Sequence, residues 1–388
     1  MTSRFDEIIN RRNTNSYKWD TTPEGVVPMW VADMDFKTAP CIIDALRRRV
    51  DQGVFGYTKV PDEYYAATVN WFATRHGWKF SADDIIYTSG VVPAISAIIK
   101  ALTRPGDKVV VQTPAYNCFF SSIRNNGCLL SANHLIYNKG TGRYTMDFAD
   151  LEAKAADPDA KVMILCNPHN PCGRVWTADE LTKVAEICRS NGITVISDEI
   201  HCELTYPGFT YLPFAPIAEK VGCSSVSCVS PSKAFNIAGL QIANIVTADH
   251  EMLRKIDQAI NDNEVCDVNP FGVIATIEAY TNGLSWLNEL REYLHDNYLY
   301  FKQFFNENLP EYKVTPLEGT YLAWVNCGHT GMTAKEIEDL LVDKARVRLN
   351  EGAMYGEGGE TFLRVNLACP RPVLQQVLPR IAAVLKEL

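Results

Sequence analysis

From Asp84 onward, short β-branched runs alternate with helical stretches, and this alternation limits the possible folds more than any other feature of the chain. "DIIYTS" (84–89) reads as a strand and "VVPAISAIIKAL" (91–102) as a helix. "DKVVVQT" (107–113) and "AYNCFFSSIRNN" (115–126) repeat the pair. "KVMILC" (161–166), "GITVISD" (192–198) and "SSVSCVS" (224–230) are further strands, and "LQIANIV" (240–246) adds another. The amphipathic "ADELTKVAEICRSN" (178–191) lies between the first two of these. Strands that are apolar along their whole length are buried on both faces, and strands separated by helices pair in parallel. The expected fold is α/β, a mostly parallel sheet between helix layers. Ligands of such sheets gather at the carboxyl ends of the strands.

The pattern changes near Thr281. A long helical period, "LSWLNELREYLHDNYLYFKQFFNEN" (284–308), is followed by the strand-like "YKVTP", "TYLAWVNC" and "FLRVNLAC", with a helix expected over 334–344 and another at the end. This reads as a smaller α+β unit. The helix "APCIIDALRRRV" (39–50) has no strand partner nearby and is assigned to the same unit. The expected organisation is therefore a large domain over 51–282, inserted between residues 1–50 and 283–388 of a small one.

Charge narrows the function classes. The 37 basic and 46 acidic residues leave a net charge of −9, with no basic stripe, which argues against a nucleic-acid partner. The dense run Arg47–Arg49 falls on the solvated side of a helix. The first twenty residues lack an apolar core of signal-peptide length, and no later segment is apolar enough to span a bilayer, so a cytoplasmic protein without membrane contact is expected. Twelve cysteines include no C-x-x-C pair. Several, such as Cys166, Cys188 and Cys228, sit in apolar strands or helices, the pattern of reduced structural thiols in place of a metal site.

Five features fall at strand ends or on an inward strand. "TSGVVPAI" (88–95) puts a glycine at a helix N-terminus, where free N–H groups suit a phosphate; a plain strand-to-helix turn reads the same way. "CNPHNPCG" (166–173) is either a rigid turn or a turn that presents Asn170. "SDEIHCELTY" (197–206) ends a strand with Asp198, as a helix cap or as a buried carboxylate. Ser230-Pro-Ser232-Lys233 places a single lysine after an apolar strand, where lysine is rarely buried without a partner or a task. Arg364 lies on the apolar strand of "ETFLRVNLACPR", as a structural ion pair or as an anion clamp. Taken in order, a phosphate turn, an asparagine, a strand-end aspartate, a Ser-x-x-Lys and a late arginine are the equipment for pyridoxal 5'-phosphate. Its aldehyde needs a lysine, its ring nitrogen an acid partner and its phosphate N–H and hydroxyl groups.

Over nearly its whole length the chain resembles a fold-type I pyridoxal-phosphate enzyme of the aminotransferase class I/II superfamily. "SYKWD", "PMWVADMDF", "GVFGYTKVPDEYY" and "SDEIH" are similar to the cystathionine β-lyase-like C–S lyases within it. The resemblance implies that Lys233 is the Schiff-base lysine, that Asp198 holds the pyridinium proton and that Asn170 bonds the ring oxygen. Tyr116 would stack on the ring, and Gly90, Val91, Val92 and Ser230 would bind the phosphate, with Ser232 and His201 also at the cofactor. Arg364 would clamp the substrate carboxylate, with Asp33 and Tyr57 on the substrate side. Tyr57 would reach across a homodimer to the partner's cofactor phosphate, giving shared active sites.

Two positions depart from many aminotransferases. His201 stands where they carry tyrosine, three residues after the aspartate, and this fits the lyases better. Gln241 stands where they carry a cation that grips the phosphate. The expected reaction is β-elimination from cysteine S-conjugates such as cystathionine, giving a thiol, pyruvate and ammonia. The alternatives are an aminotransferase, since the same residues serve both outcomes of one carbanion, and a regulatory or binding protein with residual lyase activity.

Overall fold

The computed structural model describes residues 3–264 and 267–388. Seven strands form the main sheet, in the order Ile85–Thr88, Ala243–Val246, Ser225–Val229, Thr194–Asp198, Ala160–Cys166, Lys108–Thr113, Leu129–His134. Only Ala243–Val246 runs against its neighbours; the other six point the same way. The expected α/β sheet is borne out, and it extends one strand further than the sequence reading, to the edge strand Leu129–His134.

The central strands are apolar throughout because both faces are covered, and successive residues alternate between two cores. Val109, Val111, Ile164 and Ile196 pack with Ile95, Ile98 and Ile99 of helix Val91–Leu102. Val110, Met163, Leu165 and Val195 pack on the other face with Leu181, Val184 and Cys188 of helix Ala178–Ser190.

A second, antiparallel sheet joins Lys313–Val314, Leu322–Asn326, Phe362–Asn366 and Asn350–Glu351. It is flanked by helices Leu284–Asn308 and Arg371–Leu385. The helix expected over 334–344 is α-helical over Ala334–Leu340 and ends in a wider turn at Leu341–Ala345, closed by Arg346 at φ 55°. Strand Val27–Pro28 pairs in parallel with Val347–Arg348, tying the N-terminal segment to this unit. Helix Pro40–Asp51 packs instead on helix Pro270–Asn282, where Arg48 pairs with Glu278.

The two sheets are locked together by buried charge. Arg174, which follows the Asn170 turn, donates to Glu318 Oε2 at 3.0 Å and forks onto Glu180 at 2.9 and 3.0 Å. Both Arg174 and Glu318 are buried. Gly173 makes the approach possible. It has φ +68°, and a Cβ there would lie 2.4 Å from Leu317 Cδ1.

Among the described residues, no helix is long and apolar enough to cross a membrane. The eleven described cysteines are all free and nine are buried; Cys266 lies outside the described residues.

Candidate active site

One cavity opens at the carboxyl ends of five of the six co-directional strands, all but the edge strand Leu129–His134. Gly90, Val91, Val92, Tyr116, Asn170, Asp198, His201, Ser232 and Lys233 line it, together with Ala32, Ser89, Pro93, Cys166, Ile200, Ala238 and Ile242. Nine residues from five separate stretches, each singled out in the sequence, thus meet at one place. Strand ends converge there because the strands are parallel and their following loops all turn over the same edge.

At the floor, helix Val91–Leu102 begins directly after strand Ile85–Thr88 and presents the N–H groups of its first turn. Asp198 ends strand Thr194–Asp198, with Cys166 and Cys228 opposite it on the flanking strands. Its carboxylate receives one hydrogen bond, from Ile200 N at 3.1 Å. Burial raises its pKa to about 7. The turn that follows is held by two further carboxylates. Glu199 accepts from Ser197 Oγ, Tyr211 Oη and Phe214 N at 2.7–2.9 Å, and burial raises it to about 7. Glu203 accepts from Trp71 Nε1 at 2.6 Å and pairs with Arg75 and His76. Burial opposes its charge, but the hydrogen bonds and positive charge of His76 and Arg75 hold it down at about 2.

The opposite wall is Ala32 of the segment Trp30–Asp33, with the small sheet behind it. Arg364 is buried, its Nη1 3.3 Å from Asn170 Oδ1 and its Nη2 2.8 Å from the Trp30 carbonyl, with the Tyr355 ring 4.9 Å away. Four successive carbonyls of Trp30–Asp33 are held by side chains. Trp30 O also accepts from Asn350 Nδ2 at 2.9 Å, and Val31 O and Asp33 O accept from Asn366 Nδ2 at 2.5 and 2.6 Å. Ala32 O accepts from Lys233 Nζ at 2.6 Å and from Tyr321 Oη at 2.9 Å.

Lys233 therefore bridges the two walls. Burial, and then the charge of Arg364, lower its pKa to about 8. Burial, followed by Lys233 and Arg364, brings His201 to about 3, so its ring is neutral. Burial, then Cys118, pushes the Tyr116 phenol up.

A model of the aminotransferase class I and II family matches residues 24–381. The chain belongs to this family. It is 40% identical over 389 residues to cystathionine beta-lyase PatB of Bacillus subtilis (strain 168), covering 98% of this chain and 99% of that protein. A PLP-bound protein from Clostridium difficile 630 superposes with a TM-score of 0.95 at 42% identity, over 98% of this chain and 99% of its own. Cystalysin from Treponema denticola, whose crystal structure contains pyridoxal 5'-phosphate (PLP), does so with a TM-score of 0.95 at 35% identity, over 100% and 99%. The family and fold expected from the sequence are borne out.

The cavity of this family member suits that cofactor. His201 Nδ1 and Arg364 Nε are buried without a hydrogen-bond partner among the described residues. Burial outweighs the Ile200 hydrogen bond and the Lys233 charge and holds Asp198 up at about 7, and a cationic ring nitrogen would favour its charged form. The helix N-terminus, the lysine and the asparagine supply the remaining donor chemistry.

Four sequence-derived site residues sit outside the cavity lining: Arg364, whose contacts are given above, Ser230, Asp33 and Tyr57. Ser230 Oγ donates to Ile242 O at 2.6 Å and accepts from Ser232 N at 3.1 Å, so it braces the lysine turn. Asp33 pairs with Arg11 at 2.6 Å and lies 3.5 Å from Lys18. Tyr57 is 97% exposed, beside exposed Val54 and Phe55. Gln241 has φ 53° and an exposed side chain, and among the described residues Lys233 is the sole cation lining the cavity. Sequence reasoning did not single out Ala32, Tyr321 or Asn366. Ala32 acts through its backbone, which no residue type marks, and Tyr321 reads as an ordinary strand aromatic in "TYLAWVNC".

Proposed function

We propose that the chain is a PLP-dependent carbon–sulfur β-lyase that acts on cysteine S-conjugates such as cystathionine and releases a thiol, pyruvate and ammonia. The observation that carries this reading is the end-to-end similarity to cystathionine beta-lyase PatB, joined to a cavity that gathers a lowered-pKa lysine and a buried aspartate, with buried Arg364 bonded to Asn170 of its lining.

When bound, the cofactor supplies an electrophilic carbonyl carbon and an electron sink for the pair left at Cα. The residues would divide the remaining work by position. Gly90, Val91 and Val92 would hold the phosphate through the helix N-terminus. Asp198 would keep a proton on the ring nitrogen, and Asn170 would bond the ring oxygen. Tyr116 would cover one ring face, and neutral His201 would meet the ring edge through its free nitrogen. Arg364 would bind the substrate carboxylate as a planar fork. Lys233, with a pKa near working pH, would take the Cα proton, leaving the electron pair that breaks the Cβ–S bond. A thiolate on Cβ then departs without a repositioned acid, faster than a proton is delivered elsewhere. A substrate lacking such a group would transaminate or revert.

The site is read as shared in a homodimer. A loop carrying exposed Val54, Phe55 and Tyr57 has little reason to be aromatic if it faces only water. Tyr57 of one subunit would complete the partner's cavity. A mixed dimer of Tyr57→Ala and Lys233→Ala subunits regains one intact site, so activity should rise above that of either variant alone. The free, mostly buried cysteines fit a reducing compartment.

The deciding assay gives the purified protein L-cystathionine with no keto acid present. Pyruvate, ammonia and homocysteine should accumulate over many turnovers per site. Rapid, acceptor-dependent turnover of an amino acid without a β leaving group, with no thiol released from cystathionine, would replace this reading with the aminotransferase.

A further inference from the structure

The Ala32 carbonyl is the meeting point of two donors that come from different parts of the chain. Lys233 Nζ reaches it from the large sheet at 2.6 Å, and Tyr321 Oη reaches it from the small sheet at 2.9 Å. Tyr321 is fully buried and stands at the head of strand Leu322–Asn326, where its own carbonyl accepts from Leu367 N at 2.9 Å. Ala32, by contrast, lies in an irregular stretch with no ladder of its own. The rigid partner therefore sets the position of the irregular one. The Tyr321 ring also stands edge-on to His201, with centroids 6.1 Å apart.

We propose that Tyr321 is a positioning residue for Lys233: its hydroxyl fixes the Ala32 carbonyl that receives the lysine nitrogen, and by donating to the same oxygen it weakens that oxygen's hold on the ammonium. This rests on the reading of Lys233 as the proton-transfer group. The chemistry is that of a shared acceptor. A carbonyl oxygen has two lone pairs and accepts two donors, but each donor draws on the same electron density. An ammonium that shares its acceptor gives up its proton more readily than one that has the acceptor alone. The other groups facing Lys233 are Arg364, Asp33, Asp198, Cys118 and His201, with the Tyr116 phenol in the same cavity. Tyr321→Phe leaves all of them in place and removes one hydroxyl.

The test reads Lys233 directly. Cofactor-free wild type and Tyr321→Phe are labelled with trace acetic anhydride across a pH series, and the Lys233 peptide is quantified by mass spectrometry against other lysines of the same digest. The wild-type midpoint should fall at about 8. The variant's midpoint should move up, slowing Lys233 labelling at pH 8 by about twofold, the effect of losing part of one hydrogen bond. In the cofactor-loaded protein the acid limb of kcat should move the same way, with KM and cofactor absorbance unchanged. Asn366→Ala loosens the neighbouring carbonyls without touching Ala32 and should leave the labelling midpoint where it is. An unchanged or lowered midpoint in Tyr321→Phe overturns the proposal, and so does an equal rise in Asn366→Ala, which would make the effect one of general loosening. Because labelling needs neither substrate nor cofactor, its answer stands whatever reaction the loaded protein performs.

Discussion

The two walls of the cavity are built by different means. The cofactor wall is made of side chains and helix N–H groups at the ends of parallel strands, each placed by the hydrogen-bond register of the large sheet. Asp198 sits where it does because strand Thr194–Asp198 is fixed between two buried neighbours. The substrate wall is made largely of backbone. Trp30–Asp33 is irregular, and its four carbonyls are held by Asn350, Arg364, Asn366, Tyr321 and Lys233. The first wall is preformed by a ladder; the second is pinned by individual hydrogen bonds, each a modest term. A site of this kind keeps its cofactor geometry fixed while its substrate side depends on a handful of replaceable contacts.

The largest expected effect falls on the residue that joins the walls. Lys233→Ala removes the nucleophile and the base together and should lower turnover by at least ~10³-fold while the protein still folds. Borohydride reduction of the wild type should tag Lys233; a tag on another lysine breaks the assignment, and with it the idea that one residue serves both walls.

Next is a pH effect confined to the cofactor wall. Asp198 and Glu199 are raised from ordinary carboxylate values to about 7 by burial. Between those values the folded protein holds protons that the unfolded chain has released. Stability of the cofactor-free protein should therefore be highest on the acid side of that window, fall by a few kcal/mol as pH rises towards 7, and level off above it. Glu203, held at about 2, works in the opposite sense: its contribution is present above about 4.5 and is lost as pH falls towards 2. Urea titrations at several pH values, with and without cofactor, measure both. Bound cofactor should flatten the upper slope by giving Asp198 a cationic partner; an identical slope in both states would separate Asp198 from the ring nitrogen.

Arg364→Lys probes the substrate wall. It keeps the charge and removes the planar fork, so KM for the amino acid should rise about 10- to 100-fold with cofactor absorbance intact. Loss of cofactor at unchanged KM would move Arg364 to a structural role between Asn170 and Trp30. The smallest effect is expected from Asn366→Ala, which releases the Val31 and Asp33 carbonyls but no cofactor contact. A threefold to tenfold fall in kcat/KM, about 1 kcal/mol, should appear without any change in cofactor affinity. If cofactor binding weakens instead, the walls are coupled more tightly than their construction suggests.

What the sequence determined by itself follows from side-chain chemistry and period. Apolar runs such as "KVMILC" and "ITVI" are legible as doubly covered strands because burial on both faces leaves no polar alternation. Asp198, Asn170 and Lys233 are legible because a polar or charged side chain directly after such a run is costly unless it has a task. Arg364 stands out on its apolar strand for the same reason. The tertiary structure alone decided the rest. Ser230, a phosphate ligand by resemblance, donates to Ile242 O, which the fold brings beside it at the start of the adjoining strand Ala243–Val246. The edge strand Leu129–His134 carries exposed Leu129 and Leu130 and lacks the apolar period of the central strands, so only its parallel pairing with Lys108–Thr113 identifies it. Ala32 left no mark because every residue carries a carbonyl, and which carbonyl meets a lysine is set by how two sheets and an irregular strap come together. Side chains announce chemistry in the sequence; backbone acceptors acquire it only when the fold has placed them.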